Sequence, residues 1–167
     1  KRFLCGIRKR TERVIYMKNL DQRTQIIEYS LRLNSTNLSP LRSGNISLRS
    51  EESGTGGYLI TPSGKKYETL KPEDIVFKGL NEEEEKNKST NKPSSEWRFH
   101  RDIYVNKKEA HAIVHAHSLH ATAVSSHGKP IPPFHYMIAL AGGDDIKCAE
   151  YATFGTEELS KNVIKAL

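Results

Sequence analysis

Residues 110–126 read AHAIVHAHSLHATAVSS. Ala110–His117, with its apolar Ala112, Ile113 and Val114, predicts a strand buried in a sheet. Ser118–Ser126 predicts a helix, closed by Gly128 just past its end. On a strand, residues i and i+2 point to one face, so His115 and His117 stand side by side. Two imidazoles so placed can supply two ligands to one divalent ion, zinc first among candidates. The plainer reading is a pair of histidines satisfied by hydrogen bonds. Buried imidazoles with no metal would need such partners.

The chain on the N-terminal side supplies the elements that pair with this strand. Pro93-Ser94-Ser95 predicts a helix start with serine as its N-cap. Trp97, His100 and Tyr104 share a face of that helix, with Phe99 and Ile103 beside it. Glu96 falls in the first turn, where a carboxylate favours the helix dipole or serves as a general base held near an ion. Ser94 and Ser95 add hydroxyls to a helix N-terminus, which together suit a phosphate. Ser43-Gly44-Asn45 and Ser63-Gly64 are small polar turns beside strands. Such turns let backbone N–H groups approach a phosphate, or are simply turns.

Short strands are expected at Asn45–Arg49, with Ile46 and Leu48 on one side, at Tyr58–Ile60 and at Ile75–Phe77. Turns at Gly54–Gly57 and Thr61–Gly64 separate them. Met17–Asn34 is helical, with Leu20, Ile27 and Leu31 near one face and Ile26 next to it. Ile146–Ala152 reads as a strand and Thr156–Leu167 as an amphipathic helix carrying Leu159, Val163 and Leu167. Tyr136, in Phe134-His135-Tyr136-Met137, is a core aromatic or a proton donor near a cation. The fold class is mixed α/β with a mainly antiparallel sheet.

Composition narrows the function classes. The chain has 167 residues, 36% hydrophobic and 28% charged, as in ordinary globular proteins. No apolar run approaches the roughly 20 residues that span a bilayer, so no membrane partner is expected. The net charge of +6 sits almost wholly in residues 1–16, which carry +5 and leave +1 for the rest. A near-neutral body with a basic tail is not a nucleic-acid face. Residues 1–16 read as a basic leader, disordered or artefactual, with Met17 as the start and 17–167 as a single domain. The acidic run Glu82–Glu85 reads as a solvated loop. Cys5 and Cys148 are too few for a disulfide framework, which points to a reducing, cytoplasmic setting. The apolar end at Ala166-Leu167 leads one to expect a longer chain.

The order of the motifs carries more than each alone. SGNISLR (Ser43–Arg49), ITPSG (Ile60–Gly64), PSSEWRFH (Pro93–His100), AIVHAHSLHATA (Ala112–Ala123), HYMIA (His135–Ala139) and YATFGT (Tyr151–Thr156) together resemble the class II aldolase and adducin family. The resemblance implies αβα layers and a zinc enzyme, one ion per subunit. Such an enzyme reversibly splits a small phosphorylated sugar, a ketose 1-phosphate, into dihydroxyacetone phosphate and an aldehyde. It implies His115, His117 and Glu96 at the metal, with Glu96 also the acid/base residue. Gly44, Asn45, Ser63, Gly64, Ser94 and Ser95 become phosphate and substrate positions. Tyr136 becomes a proton donor reaching a neighbouring subunit's site in a homotetramer, and Phe154 shapes the aldehyde pocket.

Related epimerases carry Asp where Glu96 stands and lack the His135–Met137 segment. Adducin-type heads lack the metal histidines. Two departures remain: Arg42 stands where close relatives carry threonine, and the family's third zinc histidine lies on a strand beyond the helix ending here at Leu167. A chain lacking that C-terminal part is expected to bind zinc weakly, to be poorly stable and to show little activity. It would then be a catalytically silent aldolase-like fragment, or an epimerase or dehydratase of the same superfamily.

Overall fold

The structure, a computed structural model, describes residues 17–52, 54–81 and 91–167, and the side chains of Arg42 and Ala141 lie outside that description. The expected leader and the acidic run Glu82–Glu85 also fall outside the described residues. Four strands form one sheet: β1 (Asn45–Glu52), β2 (Thr55–Ile60), β3 (Val76–Gly79) and β4 (Ala112–His115), in the order β3-β2-β1-β4. Every pairing is antiparallel, with Ser47 opposite Ile60, Ile60 opposite Val76 and Asn45 opposite His115.

Alternation along β2 decides which helix covers which face. Leu59 joins Ile26, Leu33, Ile46, Tyr67, Leu70 and Ile75 in a core on one face. Tyr58 and Ile60 join Val76, Trp97 and Tyr104 on the other. Helix α1 (Leu20–Ser35) therefore covers the first face and α2 (Trp97–Asn106) the second, while α3 (Leu119–Ser125) follows β4. Helix α4 (Glu157–Ala166) packs on α2, and Ser160 Oγ donates to Asp102 Oδ2 at 2.5 Å between them. The layers are α, β, α, as the motif order implies. Each fully buried aliphatic side chain here stabilises the fold by about 1.5–3 kcal/mol.

Four details differ from expectation. The buried stripe of α1 is Arg23, Ile26, Ser30 and Leu33, whereas Leu20 and Leu31 face solvent. Its polar members are satisfied: Arg23 donates to the carbonyls of Lys18, Pro72 and Ile75 and pairs with Glu52 at 2.6 Å, and Ser30 Oγ donates to Ile26 O. Second, α2 starts at Trp97 with Glu96 as its N-cap residue, so the two serines precede the helix. Third, β4 is an edge strand rather than a buried one, with Val114 exposed. Fourth, Ile146–Ala152 is not a strand. Its one ladder contact is the Ile131–Ile146 bridge, and a segment without a pairing neighbour cannot hold strand geometry.

Candidate functional site

The turn after β2, the approach to α2 and the start of β1 meet in one polar pocket of about 190 Å³. Gly44, Asn45, Ser63, Gly64, Ser94, Ser95 and Glu96 all line it. Seven expected positions, the outermost of them Gly44 and Glu96, thus converge. The pocket is smaller than the roughly 300–1,000 Å³ of a drug-sized ligand site, which suits one end of a ligand. Gly44 must be glycine because a Cβ there would lie 2.1 Å from Ser39 Oγ and 2.5 Å from the His115 carbonyl. Ser94 bridges inward, with its N–H donating to Thr61 O at 2.9 Å.

Glu96 is the hinge between this pocket and the histidine pair. It is buried, accepts from Asn45 Nδ2 at 2.9 Å and lies 3.2 Å from His115 Nε2. His115 Nε2 and His117 Nε2 are 2.8 Å apart, so the two imidazoles do share a face. Their placement has two sources. Strand pairing with Asn45 holds His115, and His117 N–H donates to Leu38 O at 2.9 Å. Burial lowers the pKa of His115; Glu96 raises it and His117 lowers it, with a net fall.

Two imidazole nitrogens and a carboxylate oxygen thus face one another across a space now bridged by a hydrogen bond between the rings, which needs a proton on one of the two nitrogens. Neutral imidazole and carboxylate are zinc's preferred N and O donors, so the donor set fits the ion chemically. The arrangement itself is closed up. Among the described residues no group of three or more His, Cys, Asp or Glu is set to hold a metal ion. Two nitrogens on one tetrahedral zinc stand about 3.3 Å apart, so the pair would have to open by about half an ångström.

Two expected site residues are not brought to this place. Tyr136 is 80% exposed and lines a separate hollow with Phe134, His135 and Ile138. Phe154 is 70% exposed and does not line the Glu96 pocket. Its neighbour Gly155, at φ 76°, does abut the site, since a Cβ there would come 2.9 Å from Ser95 O.

Three residues of the site were not singled out for it in the sequence. Lys65 lines the pocket and pairs with Asp74 at 2.5 Å. Its signal was a lysine directly after the Ser63-Gly64 turn. Tyr67 donates its hydroxyl to Gly44 O beneath the pocket. His100 lies fully buried behind Asn45, and burial with His115 nearby pushes its pKa down to about 3. Its place on the Trp97–Tyr104 face and at the end of the PSSEWRFH motif marked it, without a role.

The fold and this pocket define a class. Residues 24–167 match the model described as the class II aldolase and adducin N-terminal domain, and the chain belongs to that family. Among particular relatives, the L-fuculose phosphate aldolase of Escherichia coli strain K12 is 48% identical over 143 residues, covering 86% of this chain and 63% of that protein. A 5-methylthioribulose-1-phosphate/5-deoxyribulose-1-phosphate aldolase of Rhodospirillum rubrum is 43% identical, covering 85% of this chain and 61% of the relative. A solved L-fuculose 1-phosphate aldolase superposes with TM-score 0.80 at 38% identity, covering 90% of this chain and 68% of that one. The chain thus spans less than two thirds of the length of the two curated relatives named here.

Proposed function

We propose that this chain acts in reversible aldol cleavage of a ketose 1-phosphate, fuculose-phosphate-like, to dihydroxyacetone phosphate and an aldehyde. The observation that carries the reading is Glu96, buried at the junction of the polar pocket and the His115–His117 pair. The pocket around Gly44, Ser63, Gly64, Ser94 and Ser95 takes the phosphate, with the Lys65 ammonium at its wall. His115, His117 and Glu96 would hold one zinc per subunit, which when bound would supply Lewis-acid polarisation of the substrate's oxygens. Glu96 moves the proton at the carbon next to the carbonyl, as a general base within reach of both partners. The phosphate grip fixes the substrate's position, a contribution of several kcal/mol in well-oriented reactions.

Tyr136 serves a neighbouring copy's site in a homotetramer, which its exposure supports. Phe154, beside the Ser95 contact of Gly155, borders the aldehyde end. The relatives' names support the ketose 1-phosphate class and leave the sugar open between L-fuculose and 5-methylthioribulose or 5-deoxyribulose. Residues 17–167 act as a single domain in a cytoplasmic enzyme. Among the described residues no helix is long and apolar enough to cross a membrane.

The test is zinc per folded chain by elemental analysis, followed by cleavage of L-fuculose 1-phosphate. Near one zinc, with cleavage abolished in His115→Ala and Glu96→Gln, is expected. A folded chain with near-zero zinc and no cleavage of any ketose 1-phosphate would reduce this chain to a silent aldolase-like fragment.

A further inference from the structure

Behind Glu96 runs a line of polar groups that the aldol reading does not use. Asn45 Oδ1 lies 2.5 Å from His100 Nε2. His100 Nδ1 is 2.7 Å from Ser47 Oγ, which is 2.9 Å from the Tyr104 hydroxyl. Asn45, Ser47, His100 and Tyr104 are all buried. They come from β1 and α2, so the line stitches the sheet to the helix that carries Glu96 at its start.

Donor and acceptor counting fixes the Asn45 amide and the imidazole proton that faces it. A carboxylate only accepts, so Asn45 must turn its NH₂ toward Glu96. Its carbonyl oxygen then faces His100 and needs a donor, which places the imidazole proton on Nε2. Nδ1 is left bare and accepts from Ser47. The Ser47 oxygen, having given its proton, accepts from Tyr104. With the ring neutral, every bond along the line has one donor and one acceptor. Burial, which disfavours the charged imidazole, works in the same direction.

We infer that His100 is a positioning residue: as a neutral Nε2–H imidazole backed by Ser47 and Tyr104, it holds the Asn45 amide so that Glu96 stays aimed at His115. An apolar side chain of similar size would fill the same space without burying polar atoms. It could not present an N–H to Asn45. With that N–H gone, the amide is free to flip, and Glu96 loses a fixed donor. The inference rests on the proposed metal role of Glu96, and its test separates the two.

The experiment compares wild type with His100→Leu, His100→Gln and Ser47→Ala. Glutamine keeps an N–H near the Nε2 position and gives up the Nδ1 acceptor. Zinc affinity is read by competition with a chromophoric chelator. Side-chain ¹⁵N–¹H spectra of His100 and Asn45 are recorded on the metal-free protein. The proton should sit on Nε2 of His100 in wild type. His100→Leu should weaken zinc binding by about 10- to 100-fold, as for other partners that orient metal ligands. His100→Gln should recover most of that loss. Ser47→Ala should leave the proton on Nε2, because the Asn45 carbonyl still needs a donor there.

A proton on Nδ1 in wild type overturns the inference. So does equal zinc affinity in the folded leucine and glutamine variants, which would make His100 plain core filling. If His100→Leu does not fold, the glutamine and Ser47→Ala results decide. If wild type binds no zinc, the metal reading fails, and amide exchange at Asn45 decides positioning on its own. Slow exchange in wild type, His100→Gln and Ser47→Ala, with fast exchange in His100→Leu, supports it; uniform exchange refutes it.

Discussion

His100 has a consequence for stability that is independent of catalysis. Its pKa falls from 6.5 to about 3 on folding, first because it is buried and second because His115 lies near. The unfolded chain therefore binds an extra proton below the ordinary histidine range. Stability is fully present above about pH 6.5 and is lost as pH falls toward 3. Between pH 7.5 and 5 this one ring should cost about 2 kcal/mol. Urea unfolding at the two pH values checks it, and the difference should shrink by that amount in His100→Gln. Tyr104 is the opposite case. Burial pushes its hydroxyl up to about 12 against the smaller pulls of Ser47 and Arg49, so it stays a donor at working pH.

At the scale of elements, the site depends on how closely β1 and β4 approach. Gly44 enters β1 with no room for a methyl group against Ser39 and the His115 carbonyl. Gly44→Ala should push the start of β1 away from the end of β4, and overpacking of this kind costs about 1–3 kcal/mol. The expected result is a lower unfolding midpoint together with weaker zinc binding, because the same carbonyl belongs to His115, one of the proposed zinc ligands. Unchanged zinc affinity would separate the strand contact from the site. Helix α4 offers a contrast far from the chemistry. Thr156 Oγ1 caps it by accepting from Leu159 N at 3.2 Å. Thr156→Ala should lower stability by about 1 kcal/mol and leave zinc affinity as it was.

The described residues leave several large apolar side chains in water. Leu119, Phe134, Tyr136, Leu140, Tyr151 and Phe154 are all exposed. Phe134, Tyr136 and Ile138 line one hollow, and contiguous exposed apolar surface marks interaction sites. The proposed homotetramer would bury part of it and would carry Tyr136 to a neighbour's pocket. Sedimentation well above the 18.9 kDa of one chain is the expected result, and a strict monomer would remove the role proposed for Tyr136. The edge of β4 belongs to the same scale, since an edge strand is a ready pairing site.

Much of this protein was legible in one dimension. Short-range periodicity placed α1, β1, α2, α3 and α4 to within a few residues. The two-residue repeat set His115 beside His117. Motif order was enough to expect the layered fold and the family. What failed were readings that depend on neighbours. The α1 stripe runs through Arg23 and Ser30, which count as buried only because Pro72, Ile75 and Glu52 receive the guanidinium and because Ser30 bonds back to Ile26. Ile146–Ala152 looked like a strand, but strand geometry needs a partner backbone. His100 looked like any residue on a helix face. Its single tautomer exists because tertiary folding sets Asn45 before one nitrogen and Ser47 before the other. Local sequence carries periodicity and residue chemistry. Which polar atoms meet, and in which hydrogen-bond direction, is decided only when distant segments are packed out of water.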